Sequence, residues 1–116
     1  MRRGEVWVGN FNPPRGRDIG KIRPVLILHA DELIQADAQL LVIVPLTTQM
    51  RPSLKLLRVT IPARDRLQED CQVAIDQSRV LDRSRIGEGP LTRLTAAEMA
   101  AVESGLAVVL GIYPRA

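Results

Sequence analysis

Alternating and then continuous apolar stretches, each cut short by glycine, proline or polar residues, run through the first two-thirds of the chain and predict short strands. In GEVWVG, Gly4 to Gly9, Val6 and Val8 fall on one face and Glu5 and Trp7 on the other, as in a half-buried strand. Residues 10–22, NFNPPRGRDIGKI, carry two prolines and two glycines among polar side chains and predict a long loop. RPVLIL, Arg23 to Leu28, reads as a buried strand that Pro24 opens and does not interrupt. Residues 30–38 are polar and alanine-rich and predict a helical turn. LLVIVPL, Leu40 to Leu46, is a second buried strand, closed by Pro45. A loop over Thr47 to Pro52 leads to a strand around Leu56 to Ile61, which Pro62 ends. Gln72 to Ile75 and Ser78 to Leu81 read as strand segments around Asp76, and residues 82–93 as a turn-rich connection.

The last element changes period. Thr95 and Glu98 form a capping box, with Leu94 placed to staple onto Met99. Met99, Val102, Leu106, Val109 and Leu110 then recur at three- and four-residue spacing, the apolar face of an amphipathic helix that Gly111 stops and Pro114 follows. Five or more strands followed by one helix predict a small, mostly β antiparallel barrel with a C-terminal helix packed on it, residues 1–116 forming one domain.

Composition narrows the chemistry. With 116 residues, 46% hydrophobic and 25% charged, the chain can bury a core without covalent help. A single cysteine, Cys71, excludes an intrachain disulfide and paired-thiolate metal sites, and is expected to be an inert buried thiol. A single histidine, His29, excludes a two-histidine ribonuclease mechanism; it falls at the polar end of an apolar strand. Gly4, Glu5 and Asn10 break any signal-peptide core, and no apolar run approaches the roughly 20 residues that cross a bilayer, so a cytoplasmic protein with no membrane partner is expected.

Net charge is +3, and 14 of 16 basic residues are arginine, whose planar fork suits phosphate. The charge is segregated: residues 1–28 carry +4, 29–44 carry −3, 45–66 carry +4 and the remainder −2. Two basic stretches could face each other across a groove for a polyanion. The chain has no Gly-x-x-x-x-Gly-Lys phosphate loop and no dinucleotide fingerprint. Arginines, threonines and aspartates at strand ends remain, a set suited to electrostatic handling of a phosphodiester.

Three ordered motifs carry a resemblance. RGEVWVGNFNPPRGRDIGKIRPVLIL (Arg3 to Leu28), VPLTTQ (Val44 to Gln49) and DQSRVLDRSRIG (Asp76 to Gly87) resemble the signatures of the MazF/PemK (Kid) toxin endoribonucleases, and the likeness spans essentially the whole chain. It implies an SH3-like barrel of the CcdB/MazF/Kid type. It also implies metal-independent, sequence-specific cleavage of single-stranded RNA, with mRNA the main expectation and no cofactor. The 2′-hydroxyl would attack the adjacent phosphorus and leave 2′,3′-cyclic phosphate and 5′-hydroxyl ends. The implied partners are a second copy of the chain and an antitoxin whose acidic C-terminal segment covers the groove, with DNA reached only through that antitoxin.

By the same resemblance Arg23 matches the catalytic arginine and Thr47 the catalytic threonine, with Thr48 the neighbour one alignment step away. Asp76 and Asp18 are the candidate bases, since an arginine is a poor proton acceptor. Two positions depart from the Kid pattern: its arginine two residues before the aspartate is Ala74 here, and its loop histidine is Arg17. Phe11, Arg15, Arg17, Lys21, Thr48, Gln77 and Arg79 are expected to bind RNA, Phe11 by stacking on a base, while Trp7 is expected in packing. The proline- and glycine-rich stretch from Asn12 to Ile22 is expected to gate the site. Two other readings stand beside this one: a CcdB-like gyrase-binding toxin, which would need a Trp-Gly-Ile ending where this chain has Leu110-Gly111-Ile112, and a non-catalytic SH3-like RNA-binding module.

Overall fold

The computed structural model describes residues 1–12 and 21–112. Seven strands form the sheet: β1 (Glu5–Asn10), β2 (Ile22–Ile27), β3 (Leu40–Thr47), β4 (Arg58–Ile61), β5 (Cys71–Ala74), β6 (Arg79–Asp82) and β7 (Thr92–Arg93). Two helices, α1 (Asp31–Gln35) and α2 (Ala96–Leu110), complete the elements. The antiparallel order is β4-β5-β3-β2-β1-β7, and β6 also pairs with β3. The mostly β architecture with a C-terminal helix is the one the sequence predicts, with the sheet curled as an open half-barrel. No helix among the described residues is long and apolar enough to cross a membrane.

β3 is the spine. β2 lies along one side of it, and β5 and β6 follow each other along the opposite side. The latter two do not join smoothly: Ile43 pairs with Arg79 and Leu46 with Val73. Three steps along β3 therefore face six along the partner, and the excess forms a 3₁₀ turn at Ile75–Gln77. Such an insertion kinks a strand and re-aims its side chains. Asp76 sits at its middle.

Both prolines lie inside strands, contrary to expectation. The Leu28 N–H donates to the Val42 carbonyl at 3.1 Å, so the alternation of an antiparallel ladder makes Val25–Pro45 a non-hydrogen-bonded pair. The Pro45 nitrogen thus turns toward the inserted turn, where no ladder acceptor is required, and β3 continues to Thr47. Pro24 is opposite Val8 in the same kind of position, because Phe11 N–H donates to the Lys21 carbonyl at 2.9 Å two steps beyond Gly9–Arg23. β2 accordingly starts at Ile22, and its pairing with β3 stops at Val25.

Alternation sends side chains to two cores. Leu26 and Leu28 of the β2 segment and Val44 and Leu46 of β3 join Ile61, Val73, Ile75 and Val102 under α2. Val25, Ile27, Leu41 and Ile43 join Phe11, Ile34 and Leu81 on the other face. Thr95 accepts from the Glu98 N–H at 3.1 Å while Glu98 accepts from the Thr95 N–H at 2.9 Å, so the capping box is present. Gly111 ends α2 at φ +69°, a left-handed position that favours glycine. The packed face of α2 is shorter than its apolar spacing suggests. Val102 is buried, but Val109 and Leu110 are 44% and 59% exposed, because the helix outruns the sheet beneath it. Gly105 makes the close approach: a Cβ there would meet the Leu56 carbonyl oxygen at 2.3 Å and Ile75 Cδ1 at 2.7 Å. α2 is thereby seated on the chain that leads into β4 and on the inserted turn.

Candidate active site

Arg23 and Thr47 leave the β2–β3 ladder together. The last pair is Val25–Pro45; Arg23 on β2 and Thr47 on β3 each lie two residues beyond it, and alternation puts each on the same side of its strand as Val25 and Pro45. Thr47 is 8% exposed and Arg23 half-buried. The Thr47 Oγ1 accepts from the Gln49 N–H at 3.1 Å, which leaves its hydroxyl hydrogen available as a donor. Thr48, just past the end of β3, is exposed. It lines a cleft of about 470 Å³ with Lys21 and Arg23 at the rim and Leu46, Leu67 and Cys71 among the walls. Burial raises the Cys71 thiol above its ordinary value, aided by the Glu69 and Asp70 charges, so the group is a neutral thiol there.

Across β3 from Arg23, Thr47 pairs with Gln72. The Gln72 amide donates to Thr60 Oγ1 at 3.3 Å, and its carbonyl accepts the Arg51 N–H at 2.8 Å. One buried side chain thus ties the loop after Thr47 to β4. Nothing in the local sequence marks Gln72 for this role; only the pairing of β5 between β3 and β4 does.

Asp76 is paired with Arg58 through Nη1, which also donates to the Leu57 carbonyl at 3.2 Å. The Arg58 side chain is 5% exposed and that of Asp76 39%. The arginine is thus sequestered and the carboxylate open to solvent. Arg58 faces Ala74 in the β4–β5 register, so a guanidinium reaches Asp76 from across the strand where the Kid pattern has one two residues earlier in the chain. Gln77 is half-buried in the same turn.

The stacking expectation for Phe11 is overturned. The ring is 5% exposed in the second core, and the Arg79 guanidinium lies 5.3 Å from its centroid. A base platform must offer a free face, whereas this ring supports the cation instead. Arg79 is therefore set on the same face as Arg23 and Thr47, since its register partner Ile43 points there. Trp7 is half-buried and packs against Gly89, where a Cβ would lie 2.3 Å from the ring. His29 Nδ1 accepts the Val42 N–H at 3.1 Å at the end of β2, a structural contact.

Lys21, exposed at φ +73°, closes the base of the β1–β2 connection: its N–H donates to Asn12 Oδ1 at 2.9 Å. Arg85 Nη1 donates to the Asn12 carbonyl from the turn that follows β6. Asp18, Arg15 and Arg17, and most of the expected gate from Asn12 to Ile22, lie outside the described residues.

The family model for the PemK-like, MazF-like toxin of type II toxin-antitoxin systems matches residues 2–110. Endoribonuclease MazF9 of Mycobacterium tuberculosis is 29% identical, with 97% of this chain and 98% of that protein covered. A MazF crystal structure from Deinococcus radiodurans superposes with a TM-score of 0.78 at 28% identity, covering 96% of each chain. A MazE-MazF crystal structure from the same organism gives 0.74 at 27% identity, covering 97% of each. With its sheet, its helix and nearly its whole sequence in agreement, the chain belongs to the PemK-like, MazF-like family of toxins of type II toxin-antitoxin systems.

Proposed function

We propose that this toxin is a sequence-specific endoribonuclease that cuts single-stranded RNA, chiefly mRNA, by transesterification and needs no metal. RNA carries its own nucleophile, so the protein's task is to bind the phosphate, stabilise charge on its oxygens and move two protons. The placement of Arg23 and Thr47 at the same end of the β2–β3 ladder, each two residues beyond its last pair, is the observation that supports this reading most. A guanidinium can clamp the phosphate bidentately while the threonine hydroxyl donates to a non-bridging oxygen. Asp76 is the preferred base and Asp18 the second candidate; Lys21, Thr48, Gln77 and Arg79, with Arg15 and Arg17, would hold the flanking nucleotides. The curated relative's name, an endoribonuclease, agrees with this activity.

The partners follow the same reading. The chain acts in the cytoplasm as a homodimer, and the apolar end of α2, where Val108, Val109 and Leu110 are exposed, is a surface a second copy would cover. An antitoxin neutralises it through an acidic C-terminal segment laid over the basic groove, in keeping with the similarity to a MazF crystallised with MazE.

The test is to incubate the purified protein with a long unstructured RNA in excess EDTA and map the ends. Discrete cuts with 2′,3′-cyclic phosphate and 5′-hydroxyl termini are expected, and the map gives the recognition sequence. RNA bound but left intact would favour a non-catalytic binding module.

A further inference from the structure

Arg58 is a charged group almost wholly removed from water, with its side chain 5% exposed. Its Nη1 is shared between Asp76 and the Leu57 carbonyl, and its Nε has no hydrogen-bond partner among the described residues. A buried ion pair of this kind gives little stability compared with well-packed apolar groups. An incompletely satisfied one gives less. The geometry around it is specific nonetheless. Gln72 and Ala74 alternate onto the same face of β5, Gln72 facing Thr47 on one side and Thr60 on the other, and Ala74 facing Arg58. The methyl of Ala74 leaves room for the guanidinium to cross β5 and reach the carboxylate in the inserted turn.

We infer that Arg58 is a positioning residue of the ribonuclease site, holding the Asp76 carboxylate in one orientation in the turn inserted beside β3. The inference rests on the endoribonuclease reading above and deepens it. Burial decides between two roles for this arginine. A side chain so covered does not reach an RNA phosphate, whereas its partner carboxylate, 39% exposed, opens to solvent. Arg58 therefore acts through Asp76, which sits in the turn inserted between the β5 and β6 pairings of β3.

The test is single-turnover cleavage, in EDTA, of the RNA that the wild-type protein cuts best, at saturating protein from pH 5 to 9. RNA affinity and thermal unfolding are measured on the same samples. The variants are Arg58→Met, Arg58→Lys, Asp76→Asn and the doubles Arg58→Met/Asp76→Asn and Arg58→Lys/Asp76→Asn. Loss of a positioned proton-transfer group lowers the rate by about 10²-fold. Arg58→Met is expected to lose at least about tenfold in rate, with RNA affinity within about threefold of wild type and an altered pH–rate profile. Arg58→Lys is expected to recover part of the rate, and Arg58→Met is expected to add nothing to Asp76→Asn. A folded Arg58→Met with the wild-type rate and profile overturns the inference, as do multiplicative losses in the double variant. If Arg58→Met fails to fold, Arg58→Lys decides: a wild-type rate and profile refutes the role, and a reduced rate with retained affinity that vanishes as a difference on Asp76→Asn supports it. Wild-type protein that leaves RNA intact would overturn the endoribonuclease reading and this role with it, so the two failures are told apart by the wild-type lane.

Discussion

Arg23 and Thr47 each lie two residues beyond Val25–Pro45, the last pair of the β2–β3 ladder. Neither side chain is needed by the apolar cores on either face. Arg23→Ala should therefore cost cleavage and little stability. A lost donor to developing negative charge lowers the rate by about 10²–10³-fold. Cleavage of the mapped RNA, read beside a thermal melt and the mass of the assembly, checks this; an active Arg23→Ala would remove the arginine from the mechanism.

Thr47 is buried at the end of β3 and Thr48 exposed just beyond it, and their variants should separate. Thr47→Ala is expected to keep RNA affinity and lose cleavage by about 10²-fold, with Thr47→Ser retaining most of it. Thr48→Ala, at the cleft, should change affinity or sequence preference more than the saturated rate. Equal effects of the two on the rate would argue against the assignment.

Gly105→Ala should destabilise the fold. Its methyl would press on the Leu56 carbonyl, a backbone atom that cannot turn aside. Overpacking of this kind costs about 1–3 kcal/mol, which outweighs the gain in helix propensity of about 1 kcal/mol. Chemical denaturation measures the difference, and an unchanged midpoint would mean that α2 shifts freely on the sheet.

The α2 cap has an acid limit. Arg64 donates to both carboxylate oxygens of Glu98, at 2.8 and 2.6 Å, and to the Arg93 carbonyl at 2.9 Å. The hydrogen bonds from Arg64, with those of Thr95, hold the Glu98 carboxyl below its ordinary value of 4.5. A depressed folded value means the unfolded chain takes up the proton first as pH falls. The stabilisation is therefore complete above the unfolded value and lost on passing down through the folded one. The melting temperature of the wild type should fall more steeply below pH 4.5 than that of Glu98→Gln. Parallel curves would show that the pair contributes nothing.

Local features were legible in the sequence because they depend on neighbours along the chain. The Thr95–Glu98 box, the β1 alternation and the stop at Gly111 are of this kind. What depended on distant partners was not. Proline ends a strand only where its nitrogen is owed to a neighbour, and whether Pro24 and Pro45 owe one depends on register across the sheet. Phe11 opens a polar stretch and looks exposed, yet Arg79, far along the chain, covers it. Val109 and Leu110 keep the helix period after the sheet has ended. Arg58 reads as one more surface arginine until β4 is laid against β5, which gives it Ala74 as a neighbour and Asp76 as a partner. Arg23 and Thr47 are recognisable from their motifs, but that both fall just beyond the same end of the β2–β3 ladder comes from the register alone.

The Arg85–Asn12 contact spans 73 residues of sequence. While the chain is still emerging from a ribosome, β1, β2 and β3 are synthesised long before Arg85 arrives to fasten the base of their first connection. Arg3 waits longer still, for Glu103, 100 residues away. A truncated or stalled product thus holds every motif of the first half and lacks the ties that set their geometry.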